Sequence, residues 1–448
     1  MKANKNYYPE GDALLAQING RHRRGTIWRT LFLTATIIAI LVLMALLYNV
    51  FNQAFGLVAV QNKIDPTTLT TDGVLLEDLP KEQLVDVLAG HISTGLGRRL
   101  EREQLFFDTS TVFEDPALFN ELCASAEPPA ACALPARSQE DVYQLVLTRV
   151  VEPEVIKTWS LVDSILHRSD VLMEAEQAFP EAVIEFRSWL TPSFITNPQS
   201  SEPELAGVRT AIFGSLWVIA ITIMFSFPIG VGAAIYLEEY AHQENRLNRL
   251  IQTNINNLAG VPSIIYGMLG LAIFVRVLEG FTSGAVFGLV SDTTTANGRT
   301  ILSAGLTLGL LILPIIIINA QEAIRAVPSS LRQASFGLGA TKWQTIWYHV
   351  LPNALPGILT GTILSMSRAI GETAPLVVVG ASTFITVDPS GPFSKFTALP
   401  IQIYQWTSRP QDEFRNIAAA AILVLLILLL TLNATAVFLR NRYSTKMT

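Results

Sequence analysis

From Leu31 to Phe51 the chain runs for 21 residues without a charge. At about 1.5 Å per residue such a stretch spans roughly 30 Å as a helix, the thickness of a bilayer's hydrocarbon core. Backbone polar groups find no water there and must bond within the segment, so the run commits its part of the chain to a transmembrane helix. Arg21, Arg23, Arg24 and Arg29 precede it. A cleaved signal peptide would have a shorter apolar run followed by small residues at a cleavage site, and neither is present. The run therefore reads as an uncleaved helix, with residues 1–30 held in the cytoplasm by the positive-inside tendency.

Half of the 448 residues are hydrophobic. Five more spans are expected, at about Val208 to Leu237, Asn257 to Val277, Ile301 to Ala320, Leu355 to Val379, and Ile417 to Leu439. Six crossings return the C-terminus to the cytoplasm, where Arg440, Arg442 and Lys446 flank the last span and residues 441–448 form a short tail. Arg246 and Arg249 place the loop after the second span on the same side. The expectation is an all-α integral membrane protein with six transmembrane helices and the lipid bilayer as its surroundings.

Residues 52–205 then lie outside. This segment carries 10 Lys and Arg against 25 Asp and Glu, a net of −15, whereas the rest of the chain nets +9. Cys123 and Cys132, the chain's two cysteines, both fall here and flank Pro128-Pro129. In an oxidising compartment they could form a disulfide; two free thiols in a loop is the alternative. Ser138 to Phe179 reads as helical from apolar residues such as Ile156, Trp159, Val162 and Leu166, with Pro153 dividing it. The insertion is accordingly expected to be mostly helical. Thr191 to Glu204, rich in Pro, Ser and Asn, reads as a linker.

Between Gln321 and Pro352 a polar stretch interrupts the membrane-buried half. Ser330 with Gln333, and Thr341 with Gln344, have the spacing of capping boxes. Gly337-Leu338-Gly339 should close the first helix, and Pro352 should end the second. Trp343, Ile346, Trp347 and Val350 recur at helical spacing on one side. Two short helices with this face suit insertion into a cleft on a partner protein, or equally a pair lying on lipid headgroups.

The fifth span carries a charge pair. Arg368 falls roughly 20 Å into a helix starting near Leu355, with Glu372 four residues on. A charge at that depth costs at least about 2.5 kcal/mol and must face protein or water. The pair either meets an anion, with Glu372 limiting the grip, or only fixes helix packing; the forked donors of a guanidinium suit phosphate. Gly371 and Pro375 predict a kink here. Ser365, Ser367 and Thr373 add hydroxyls that bonds to their own helix carbonyls would satisfy; Thr373, beside Glu372, is carried with the pair as lining a path. Arg276, at the outer end of the third span beside Glu279, is explained by snorkelling.

No GxxxxGK[ST] phosphate loop occurs, and the nearest string, Gly337-Leu338-Gly339-Ala340-Thr341-Lys342, lacks its spacing. Five scattered histidines offer no metal site. No nucleophile–base set stands out, so the chain is not expected to be an enzyme by itself, to hold a cofactor, or to bind nucleic acid.

Gln333-Ala334-Ser335-Phe336-Gly337-Leu338-Gly339, with Leu351-Pro352 downstream, resembles the EAA loop of ABC importer permeases, with Gln333 in place of the usual glutamate and His349 at an apolar position. Tyr236-Leu237-Glu238-Glu239-Tyr240, Leu258-Ala259-Gly260-Val261-Pro262-Ser263-Ile264-Ile265-Tyr266-Gly267 and Arg368-Ala369-Ile370-Gly371-Glu372-Thr373-Ala374-Pro375 resemble the PstA-type permease of phosphate-specific importers. Together these motifs cover residues 206–440, while the acidic insertion is not part of that family's core.

The resemblance implies the type I permease fold, a bacterial inner-membrane location with residues 52–205 in the periplasm, and Arg368, Glu372 and Thr373 in the translocation path. It implies partners too: a homologous C-type permease, an ATPase dimer that carries the ATP and Mg, and a periplasmic phosphate-binding protein. Residues 321–352 would then be the coupling loop, with Gln333, Ala334, Gly339, Trp343, Trp347 and Pro352 toward the ATPase and the tryptophan face as the main grip. The resemblance tips the hairpin from lipid toward docking. A permease for another oxyanion (sulfate, molybdate or a phosphonate) and a membrane sensor or scaffold remain as rivals.

Overall fold

The computed structural model describes residues 12–69, 75–91, 139–151, 153–241, 245–288, 297–381 and 384–444. Cys123 and Cys132 lie outside the described residues. The chain divides into two compact units, one of Met1–Ala54 with Trp189–Thr448 and one of Phe55–Ser188.

The Phe55–Ser188 unit departs from the helical expectation. It contains α2 (Lys81–His91), α3 (Gln139–Val146), α4 (Leu161–Leu166) and α5 (Arg168–Ala178), but also a three-stranded antiparallel sheet in the order β2-β1-β3. The central strand β1 is Phe55–Asn62, and its edges are β2 (Pro153–Thr158) and β3 (Val183–Ser188). Pro153 does not divide two helices; it opens an edge strand, the position where a missing N–H costs the ladder least. Val155 and Ile156, β-branched neighbours, then favour extension over a helix. Away from the sheet, Leu79, Leu84 and Leu88 meet Val142, Leu145 and Val146 in a core that excludes solvent.

The regular structure in the larger unit's described part is helical. Its long helices are α1 (Asp12–Ala54), α6 (Arg209–Ile235), α9 (Ile301–Arg325), α12 (Leu351–Gly371) and α15 (Asp412–Ser444). The third expected span is not one straight helix. α7 (Arg246–Leu258) and α8 (Ser263–Gly270, continued by a wide turn to Val277) meet at a bend of 107°. Among the described residues this gives five apolar helices long enough to cross a membrane, or six if the bent pair is one crossing. Gly260 and Pro262 sit at the bend, where the proline cannot continue the ladder.

α6 and α9 pack along their length because glycines let them approach. A Cβ on Gly305 would meet Ile221 at 2.6 Å, and one on Gly230 would meet Ile316 at the same distance. Thr222 donates to the Gly305 carbonyl at 3.0 Å across this contact. α12 lies on α9 in the same manner, with Gly361 against Asn319 and Gly357 against Ala323.

The linker-like stretch before α6 is folded. The Thr191 hydroxyl caps a short turn by accepting from the Phe194 N–H at 3.1 Å. Gln199, 2% exposed, donates to Gln405 and accepts from the Ile385 N–H. Its Pro, Ser and Asn supply caps and turns here rather than slack.

Candidate functional site

Two places in the helical unit gather the residues singled out above: a hairpin between α9 and α12, and the break at the far end of α12.

The hairpin comprises α10 (Ser329–Gly337) and α11 (Lys342–Thr345). Pro328, with its fixed φ, sets the entry to α10 two residues early, so Ser330 falls inside the first turn and the expected Ser330–Gln333 box does not form. The second box does form: Thr341 accepts from the Gln344 N–H, and the Gln344 side chain accepts from the Thr341 N–H. Gly339 between them takes φ +80°, the left-handed conformation glycine adopts without strain. Pro352 does not end the second helix. A wide turn over Ile346–Val350 absorbs the missing N–H, and the helix runs on as α12, giving one span from Lys342 to Gly371.

The apolar stripe of this segment splits in two. Ile346 and Val350 are fully buried, Val350 in the core it shares with α9 and α12, whereas Trp343 and Trp347 remain about half exposed. The two indoles stack, with ring centroids 5.4 Å apart and planes inclined by 22°. Leu338 at the tip is 91% exposed, and Gln333, Ala334 and Gly339 are exposed as well. Holding the two helices together is a buried hydroxyl pair, Ser335 with Thr345 at 2.9 Å. The hairpin thus presents aromatic surface on a frame whose inner face is closed.

Sequence reasoning missed what ties this frame to the bundle. Arg332, on α10, reaches the Glu239 carboxylate with Nε at 3.0 Å and Nη2 at 2.8 Å. Its Nη1 and Nη2 also donate to the carbonyls of Val327 and Ile324, just past and within the end of α9. In the sequence the Glu238-Glu239 doublet stands only as part of the Tyr236–Tyr240 motif, with no partner assigned to either acid. Two acids at the end of an apolar span, with Arg325 and Arg332 ahead in the chain, were the available signal.

At the far end of α12, the expected kink is a full break. The helix stops at Gly371; Glu372 turns extended, and α13 (Ala374–Val379) starts anew with Pro375 in its first turn. α8 packs against α13 so closely that a Cβ on Gly267 would lie 2.7 Å from Pro375 Cα. Arg368 Nε lies 3.4 Å from Glu372 Oε1, with the arginine side chain 51% exposed and the glutamate 18%. Ser365 donates to the Gly361 carbonyl, and Ser367 to the Ile363 carbonyl and to Asn433. Those two hydroxyls are therefore engaged within the bundle. Thr373 is partly exposed beside Glu372 in the gap between the two helices.

Comparison with known proteins bears on both places. Residues 226–446, which include the hairpin and the break, match the family described as binding-protein-dependent transport system inner membrane component. A probable ABC transporter permease of Bacillus subtilis, YqgI, is 31% identical over 282 residues, covering 60% of this chain and 90% of that protein. The phosphate transport system permease PstA 1 of Mycobacterium tuberculosis is 35% identical over 236 residues, 52% of this chain and 70% of its own. Among solved structures, the MetNI methionine ABC transporter in inward-facing form is 21% identical over 53% of this chain and 96% of that one, with a TM-score of 0.39. The chain is a member of the family of binding-protein-dependent transport system inner membrane components, an ABC permease of the PstA type.

Proposed function

We propose that the chain forms half of the path through which an ATP-driven importer carries inorganic phosphate across a bacterial inner membrane. In this reading both termini and the hairpin lie in the cytoplasm, and residues 52–205 lie outside. A homologous permease completes the path, an ATPase dimer that holds the ATP and Mg docks on the hairpin, and a periplasmic binding protein delivers the anion.

The observation that carries the proposal is Arg368. Its guanidinium sits in a membrane-crossing helix, half exposed on this chain, and its described hydrogen bond is a single long one to Glu372. A charge so placed must face a partner or water rather than lipid. Most of its five N–H donors remain available, and their fork matches the oxygens of a phosphate. Glu372 neutralises part of the charge, which keeps the site from holding the anion too tightly to release it. The break at Glu372–Thr373 interrupts a membrane-crossing helix, and interrupted membrane helices are a setting for transport sites.

Uptake of labelled phosphate by cells expressing the complete importer, challenged by excess sulfate, molybdate or a phosphonate, tests the reading. Competition by unlabelled phosphate alone is expected. Preferential competition by one of the others would reassign the substrate, and absence of uptake that depends on this chain would remove the transport role.

A further inference from the structure

Three consecutive residues just past α6 each reach a different cation on a different part of the hairpin and its approach. Glu238 takes a forked pair of bonds from Arg325, the last residue of α9. Glu239 takes two from Arg332 on α10. The Tyr240 ring lies under the Lys342 ammonium of α11, 5.0 Å from ring centroid to nitrogen. The wide turn Tyr236–Tyr240 at the end of α6 presents all three.

These contacts differ in how much water reaches them. Arg325 is 66% exposed although Glu238 is only 11% exposed, so water screens the cationic end of that pair and weakens it. Arg332 and Glu239 are 20% and 10% exposed. The Arg332 guanidinium makes four contacts at once, joining α10, the α6 extension and the last carbonyls of α9. A lysine could not do this, having one point charge in place of a planar fork. Arg332 is therefore the joint where three elements are held in one geometry.

We propose that Glu239 and Arg332 are positioning residues that clasp the hairpin to α6 and α9, so that a displacement of the hairpin moves this helix pair as one body. Without the clasp, the hairpin keeps its chain links to α9 and α12 and the Lys342–Tyr240 contact, but it loses its hydrogen-bonded tie to the end of α6, and motion applied at the tryptophan face reaches that helix less directly. The glycine-mediated packing of α6 on α9 is close enough to pass such a displacement along both helices. This inference rests on the reading of the chain as an ATPase-driven permease.

The test is the number of phosphates imported per ATP hydrolysed by the purified importer complex in liposomes, with labelled inorganic phosphate as the probe. Glu239→Gln is expected to leave complex assembly and ATP hydrolysis within about twofold of the unaltered complex while lowering phosphate imported per ATP roughly tenfold, a coupling effect of ordinary size. Arg332→Lys, which can hold Glu239 but not also both carbonyls, should recover part of that ratio relative to Arg332→Gln. The double variant Glu239→Gln, Arg332→Gln should be no worse than Arg332→Gln alone. Uptake and hydrolysis falling in parallel, or an unchanged ratio, would overturn the proposal. Failure of both Glu239→Gln and Arg332→Lys to assemble would overturn it as well, assigning the clasp to folding. If the unaltered complex imports no phosphate, the transport reading fails instead.

Discussion

Arg332 and Arg368 both hold a carboxylate, in opposite settings. Arg332 spends its donors on Glu239 and two backbone carbonyls and is mostly shielded. Arg368 makes one long bond to a glutamate just past the end of its own helix and keeps half its side chain open. A guanidinium with four of its five donors engaged inside the fold has little left for a ligand; its part is to join elements. One with donors to spare in a membrane span is available to an anion. Counting the bonds separates the two roles better than either residue's charge does.

The comparison breaks first at Arg368. Arg368→Gln is expected to abolish phosphate uptake at normal expression and with the ATPase still copurifying, because the fold does not depend on its single bond. Normal uptake by that variant would reduce the pair to helix packing and leave the two arginines without a functional difference.

A second contrast lies within the hairpin stripe. Replacing Trp343 and Trp347 together by alanine should weaken ATPase association by roughly 30-fold, on the order of 2 kcal/mol for an exposed aromatic anchor pair. Copurification at graded ATPase concentration reads this. Ile346→Ala, one position before Trp347 and fully buried, should instead destabilise the permease by about 2–5 kcal/mol through the cavity it leaves. Equal effects of the two changes on association alone would erase the division between inner and outer faces.

The smallest effect is expected at the cap. Thr341→Ala removes the acceptor for the Gln344 N–H and should cost about 1 kcal/mol. Protease sensitivity of the hairpin would show it, with uptake little changed.

Much of this was legible in the chain itself, for identifiable reasons. Charge-free runs mark membrane helices because lipid admits no alternative, and Thr341–Gln344 is local enough for spacing to reveal the cap. The Ser330–Gln333 box failed because Pro328, two residues earlier, fixed the helix start. Pro352 looked like a stop because a wide turn that accommodates a proline leaves no mark in the residue pattern. The clasp was hidden because Glu239 and Arg332 are 93 positions apart, a separation that only the packing of α6 on α9 closes. In the Phe55–Ser188 unit, β1 meets strands about a hundred residues downstream, so helical spacing around Pro153 carried no warning of the sheet.

The bend at Gly260–Pro262 sets Ser263–Val277 at 107° to α7, so the two arms cannot both follow one straight crossing. Fifteen residues rise about 22 Å, well short of a hydrocarbon core of about 30 Å. A segment that short is accommodated by local thinning of the bilayer, by flanking side chains that reach the interface, or by packing against a partner. If Ser263–Val277 alone makes this crossing, a path beside α8 would run through less low-dielectric material than one beside the chain's longer straight spans.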